Sequence, residues 1–202
     1  MVAQEAKPLR LFYVRHGETE WALSGKHTGK TDVPLTKNGE AGAQALQPLL
    51  GRYTFDHVLS SPRTRAYSTC VLAGYGDGVQ IDPDLAEWDY GDYEGLRSAE
   101  IKNGRPDWSV FRDGCPNGES PDEMTARVDR VIARLSMLGG NIALFSHGHF
   151  GGALATRWLD LKMAEGEHFP LQPASLSILG PNPSHPDVRV LSMWNVLPHL
   201  VA

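Results

Sequence analysis

Leu9-Arg10-Leu11-Phe12-Tyr13-Val14, followed at once by Arg15-His16-Gly17-Glu18, decides how the rest of this chain is read. The run from Leu9 to Val14 is short, apolar and rich in aromatic and branched side chains, which predicts a buried strand. A strand ending in Arg-His-Gly carries a guanidinium and an imidazole to its C-terminal edge. In open α/β sheets that edge is where ligands bind. A basic pair placed there suits a phosphate group. Taken alone, the tripeptide is also compatible with a structural histidine, and the wider chain has to decide.

Working outward, strands and helices alternate. A helix is expected over Lys37–Leu50 with Thr36 as its N-cap, a strand over His57–Ser60 and a helix over Arg63–Ala73. An acidic, aromatic loop covers Leu85–Gly95, and a Pro/Gly-rich excursion covers Asn103–Gly118. Ser120-Pro121-Asp122-Glu123 is a capping box with proline at the first helical position, so a helix starts there. Met124, Val128, Val131, Ile132 and Leu135 give it an apolar stripe. Asn141–Phe145 is a further strand and Gly148–Leu159 a further helix. Leu176–Leu179 and Val188–Met193 read as two late strands joined by a Pro/Asn turn. The alternation predicts an α/β fold, a three-layer α/β/α arrangement around a mostly parallel sheet.

Composition narrows the function. The chain has 202 residues, 41% hydrophobic and 21% charged, a length and balance that fit one domain, residues 1–202, with a full core. A net charge of −5 argues against non-specific nucleic-acid binding. No apolar stretch is long enough to span a membrane. Met1–Lys7 lacks the apolar core of a signal peptide. The two cysteines, Cys70 in an expected helix and Cys115 in a Gly/Pro-rich loop, make no disulfide framework, and a cytoplasmic location is expected. A homo-oligomer stays open.

Three strand ends carry the chemistry. The first supplies Arg15 and His16, the second Ser60-Ser61-Pro62-Arg63, the third Ser146-His147-Gly148-His149. The last two run straight into helix N-termini, whose free N–H groups favour anions. Glu87, in Glu87-Trp88-Asp89-Tyr90-Gly91, supplies an acid. Each has an ordinary reading: Arg63 as a surface helix residue, His147 as a partner of a backbone carbonyl, Glu87 as one loop acid among several. All of them together, each at a position that feeds one pocket, point to phosphate chemistry.

These motifs resemble the histidine phosphatase superfamily, the phosphoglycerate mutase-like family, over nearly the whole chain. Arg15-His16-Gly17-Glu18-Thr19 resembles its nucleophile motif and Ser60-Ser61-Pro62-Arg63-Thr64-Arg65-Ala66 its second arginine motif. Glu87 with Tyr90-Gly91 and Glu94-Gly95 resembles its acid loop, and Ser146-His147-Gly148 its second histidine motif. The resemblance implies that His16 is a nucleophile forming a phosphohistidine and that Arg15, Arg63 and His147 hold the phosphoryl oxygens. It implies that Glu87 is the general acid and then base, and that no metal or cofactor is needed. Neighbouring cations, Arg15 and Arg63 above all, would keep His16 neutral for attack, while His147 would be protonated once phosphate is bound. Substrate contacts are expected from Thr28 and Gly29, from Trp88 and Tyr90, from Gly148, and from Ser61 through its backbone.

Within the family a phosphatase is expected. The stretch between acid loop and second histidine motif is short for a glycolytic mutase, and Trp88 and Ser98 stand where mutases carry basic residues. Ala22 and His149 stand where mutases usually have Asn. The segments around His27–Thr36, Glu87–Gly95 and Phe111–Glu119 resemble the fungal sedoheptulose bisphosphatase branch, which implies a sugar bisphosphate whose distal phosphate meets Arg112 or Lys30. Small phosphate esters, sugar phosphates among them, are the broader expectation. Mutase-type phosphoryl transfer, a non-catalytic phosphate-binding module and a metal hydrolase using His147 and His149 are the other readings. His27, His57, His168, His185 and His199 are read as structural or surface residues.

Overall fold

The computed structural model describes residues 7–200; most of the N-terminal stretch read for a leader lies outside them. β1 (Arg10–Arg15), β2 (His57–Ser60), β3 (Gln80–Ile81), β4 (Asn141–Ser146), β5 (Leu176–Pro181) and β6 (Arg189–Val196) form one sheet in the order β3-β2-β4-β1-β5-β6. β1 and β4 are parallel, as are β2 with β4 and β2 with β3. β5 runs antiparallel to β1, and β6 antiparallel to β5. The two late strands form a hairpin because their connection is short: the Asn182 side chain accepts from the Ser184 N–H at 2.9 Å and closes a turn on itself. The sheet is thus mostly parallel with an antiparallel flank.

The helices are α1 (Glu20–Ser24), α2 (Lys37–Ala45), α3 (Gln47–Leu50), α4 (Thr64–Leu72), α5 (Ser98–Gly104), α6 (Val110–Asp113), α7 (Pro121–Leu138) and α8 (Gly148–Trp158). β1 shows why three layers result. Its side chains alternate across the sheet with period two. Leu11 and Tyr13 enter one core, with Met124, Val128, Val131 and Leu135 of α7 and Phe150 and Leu154 of α8. Phe12 and Val14 enter the other, with Leu46, Leu49 and Leu50 around α3 and Cys70 of α4. Both faces of the strand are covered, so it reads as an unbroken apolar run rather than an alternating one.

α7 begins where its capping box places it. The Ser120 hydroxyl accepts from the Glu123 N–H at 3.2 Å, and the Glu123 carboxylate accepts from the Ser120 N–H at 2.9 Å. The helix expected over 37–50 is instead divided at Leu46. Pro48 has no N–H to continue the α2 ladder, and α3 starts afresh with that proline in its first turn. The excursion expected over 103–118 holds the end of α5 and all of α6.

The parallel strands place the site. Val14 and Ser60 both lie opposite Phe145 in the register, so β1, β2 and β4 end level with one another. Their C-terminal residues therefore emerge on one edge. No helix among the described residues is long and apolar enough to cross a membrane.

Candidate active site

His16 continues the sheet by one bond past β1: its N–H donates to the Ser146 carbonyl at 2.9 Å. The chain then turns under α2, and Gly17 is required there. A Cβ on residue 17 would lie 2.4 Å from the Gly39 carbonyl oxygen. The Gly17 N–H is held by the Thr69 hydroxyl of α4 at 2.9 Å. This turn leaves the His16 ring 5% exposed, with Nδ1 2.7 Å from the Gly17 carbonyl. A carbonyl only accepts, so Nδ1 carries the hydrogen and Nε2 keeps its lone pair. Burial, then the Arg15 and Arg65 guanidinium groups, hold the imidazole well below the usual histidine range. The second cation is Arg65 rather than the expected Arg63.

The third strand end is tied to the first by Tyr13. Its hydroxyl donates to the His147 carbonyl at 2.5 Å and accepts from the His147 N–H at 3.0 Å. The His147 ring lies 5.3 Å from the His16 ring, and its Nε2 is 2.7 Å from the Ser61 hydroxyl. Ser61 was expected to act through its backbone, but that N–H belongs to the sheet, donating to Phe145 at 2.9 Å. Its side chain reaches the site instead. Burial and the surrounding cations, Arg65 first, keep His147 neutral in the free site. The charged form expected with phosphate requires the anion to arrive first.

Arg63 caps α4 with extended backbone, and Arg15 donates to the Leu171 carbonyl through Nη1. Arg15 Nε, Arg63 Nε, Arg65 Nε and His147 Nδ1 are buried and make no hydrogen bond among the described residues. Buried polar groups left unpaired cost about 1–3 kcal/mol each. Arg15 and Arg65 act on the neutral His16 imidazole, and Arg15, Arg63 and Arg65 on His147 5.3 Å away, so these groups border a place that suits an oxyanion. Arg63→Ala is expected to lower kcat by roughly 10²–10³-fold, the cost of one transition-state donor; steady-state rates on a simple aryl phosphate check this.

Glu87 reaches the site as the cap of α8. His147, in the N-cap position, offers no side-chain cap. The Glu87 carboxylate takes that role: Oε1 accepts from Phe150 N–H at 2.8 Å and from Trp88 N–H at 2.9 Å, and Oε2 accepts from His149 N–H at 3.0 Å. The positive end of α8 favours that placement. Behind it, Arg127 of α7 pairs with Glu119 at 2.7 Å and donates to the Asp84 and Ala86 carbonyls, which pins the loop carrying Glu87. Arg127→Ala is expected to destabilise the fold by roughly 3 kcal/mol, because it strands a largely buried carboxylate and two carbonyls. Urea unfolding midpoints check it.

The sequence offered no local sign of Arg127; Arg65 stands in the second arginine motif but was given no role there, and it is fully buried and holds the Thr28, Gly29 and Thr31 carbonyls. Their partners are distant in the chain. Trp88 corrects an expectation. It is 0% exposed, stacks edge-on against Phe111 and donates to the Glu119 carbonyl at 2.8 Å. It is core, not a pocket wall.

A cleft of about 460 Å³ opens from Arg15, His16 and Glu87. Thr28, Tyr90 and Gly148, the expected substrate contacts, line it together with His27, Ser98, Lys102, Trp108 and His149, which the sequence reading did not assign to substrate. Gly29 does not: its N–H is held by the Glu94 carboxylate at 2.9 Å. Arg112 lies outside the cleft, paired with Asp113 at 3.2 Å. Lys30 pairs with Asp89 at 2.6 Å and faces a separate hollow on the other side of Glu87. Cations that do line the cleft beyond Arg15 are Lys26 and Lys102. Among the described residues no three His, Cys, Asp or Glu side chains gather as metal ligands.

Three buried imidazoles and the partly buried His149 bear on pH stability. His16 and His147 are held low, and burial pushes His27 and His149 down to about 4. Below the ordinary value of 6.5 the unfolded chain binds protons that these folded imidazoles refuse. Acidification therefore favours unfolding. The denaturant midpoint is expected to fall between pH 7 and pH 5, and an unchanged midpoint would contradict the buried neutral assignments.

A family model for the histidine phosphatase superfamily (branch 1) matches residues 11–193. The chain is 44% identical over 175 residues to an acid phosphatase of Mycobacterium tuberculosis, a match covering 85% of this chain and 86% of that protein. It is 37% identical over 185 residues to sedoheptulose 1,7-bisphosphatase of Saccharomyces cerevisiae, covering 75% and 68%. A solved structure of a Mycobacterium tuberculosis open reading frame superposes with a TM-score of 0.88 at 40% identity, covering 95% of this chain and 99% of the other. A neutral buried imidazole beside arginine guanidinium groups, on this fold and with these relatives, places the chain in the histidine phosphatase superfamily, branch 1, as a phosphatase.

Proposed function

We propose that the protein hydrolyses small phosphate monoesters, sugar phosphates and bisphosphates among them, without a metal and through a phosphohistidine at His16. The observation that carries this reading is the tautomer of His16. Its Nδ1–H is committed to the Gly17 carbonyl, which leaves the Nε2 lone pair free as a nucleophile, with the Arg15 and Arg65 guanidinium charges beside the ring.

The steps balance as a double displacement. His16 Nε2 forms a bond to phosphorus while the bond from phosphorus to the ester oxygen breaks. Glu87 gives its proton to the departing oxygen. Glu87 Oε1 already accepts two N–H groups and Oε2 only one, so the free lone pair for that proton is on Oε2. The resulting carboxylate then takes a proton from water as the water attacks the phosphohistidine, and His16 leaves with its lone pair restored. Arg15, Arg63 and His147 neutralise charge on the phosphoryl oxygens throughout.

The named activities of the relatives, acid phosphatase and sedoheptulose 1,7-bisphosphatase, support a phosphate ester of modest size. For a bisphosphate, the cleft cations available to a distal phosphate are Lys26 and Lys102, in place of Arg112 and Lys30. A cytoplasmic location suits such substrates and the two unpaired thiols. The test is phosphate release in EDTA from p-nitrophenyl phosphate, sugar mono- and bisphosphates, and 3-phosphoglycerate. Chelator-resistant release from the aryl and sugar esters supports the reading. Release from none, or loss of release on adding EDTA, contradicts it.

A further inference from the structure

Two residues past His147, His149 lines the same cleft as Arg15, His16 and Glu87. Its backbone N–H binds Glu87 Oε2, the oxygen assigned the transferred proton, so residue 149 adjoins the group that meets the leaving oxygen. The ring is fixed in two further ways. Its Nδ1 lies 2.5 Å from the Tyr90 hydroxyl, and its face meets Phe111 edge-on with centroids 5.3 Å apart. The Tyr90 hydroxyl has no other hydrogen-bond partner among the described residues, so its hydrogen is directed at Nδ1. Nδ1 is then the acceptor, and the hydrogen of the neutral ring sits on Nε2.

That Nε2–H makes no hydrogen bond among the described residues, and the side chain is only partly buried. The groups around it set its charge. Arg15 comes from β1, Tyr90 from the acid loop, and His27 stands with its ring 5.7 Å away. Burial and the Arg15 charge both oppose protonation of His149, and His27 is likewise low. His27 in turn has its Nε2 3.2 Å from the Ser98 hydroxyl. His27, Tyr90, Ser98 and His149 thus give the cleft a run of neutral hydrogen-bonding groups on aromatic supports, beside the charged Glu87, Lys26 and Lys102. Such a wall recognises an uncharged polar partner and gives little to a bare hydrocarbon.

We propose that His149 is a specificity-determining residue that donates its Nε2–H to a hydroxyl of the leaving alcohol, with Tyr90 fixing the tautomer, so that the cleft selects polyol and sugar monoesters. The proposal rests on the phosphatase reading above and adds the chemistry of the leaving group to it.

The test compares ribose 5-phosphate with tetrahydrofurfuryl phosphate, which keeps the ring and the ester and lacks the hydroxyls. Wild type is expected to show higher kcat/KM on ribose 5-phosphate. A donor to a neutral hydroxyl is worth up to roughly tenfold, so His149→Asn is expected to reduce that ratio by up to roughly tenfold. His149→Gln carries its amide nitrogen close to the position of the imidazole Nε2, and Asn does not. Gln is therefore expected to restore most of the ratio. Tyr90→Phe, which frees the tautomer, is expected to lower it partially and serves in place of His149→Asn if that variant does not fold.

An unchanged ratio in His149→Asn, an equal fall on both esters, or equal loss in the Asn and Gln variants would each overturn the proposal. Hydrolysis of p-nitrophenyl phosphate by wild type separates the two levels. With that activity present, such a result removes the proposal alone; without it, the phosphatase reading and the proposal fall together.

Discussion

His16→Ala is expected to lower turnover by at least roughly 10⁴-fold, in line with the loss of a nucleophile that acts with its neighbours as one unit. No other side chain at the site is placed to substitute. His147 has Nε2 against Ser61, and His149 has Nδ1 tied to Tyr90. The variant is also expected to fold. The imidazole it removes is buried and neutral, and the single bond lost is the one to the Gly17 carbonyl. That is worth about 1 kcal/mol, or about 2–4 °C in a chain of this size. Circular dichroism with a thermal scan, beside phosphate release, separates loss of chemistry from loss of fold. Retention of more than a tenth of the activity would contradict His16 as the nucleophile.

Glu87→Gln is expected to lower kcat on alkyl phosphates by roughly 10²–10⁴-fold, the range for one positioned general acid, and to lower it much less on p-nitrophenyl phosphate. Nitrophenolate leaves without needing a proton, while an alkoxide does not. The comparison also handles the structural role of Glu87. Its two oxygens accept three N–H groups at the start of α8, and a glutamine amide offers only one oxygen to them. Some destabilisation is therefore expected, about 1 kcal/mol as for a lost helix cap. Any loss through the fold lowers both substrates alike; only the acid role divides them. Equal losses on the two would remove Glu87 from the proton transfer.

Much of this site was legible in the sequence because its parts sit at strand ends. A short apolar run followed by Arg-His-Gly, and a second followed by Ser-His-Gly, are local patterns, and parallel pairing of β1 with β4 brings them level. The capping box at Ser120 is equally local, and α7 starts where it says. What escaped depends on contacts made across the chain. Arg127 fixes the acid loop from a helix forty residues later, and Arg65 supports the Thr28–Thr31 turn from within α4. Arg127 looks like an ordinary helix charge in the sequence, and the motif that holds Arg65 does not show which carbonyls it supports. Trp88 misled for a related reason. An aromatic residue in an acidic loop reads as a pocket wall, but the loop folds inward against Phe111 and the ring is buried. β3, two residues long, is too short to show any periodicity. The cleft itself draws on residues near 98–111 and 166–171, which no spacing connects to His16.

The central claim is that phosphorus passes through His16. Rapid acid-free quenching of wild type during turnover of a ³²P-labelled monoester, followed by digestion and mass spectrometry, tests it most directly. The account predicts label that is stable in alkali, lost in acid and confined to the peptide carrying His16, with none in His16→Ala. Label on another residue, or turnover with no covalent phosphoenzyme under conditions where its formation outpaces its hydrolysis, would contradict it.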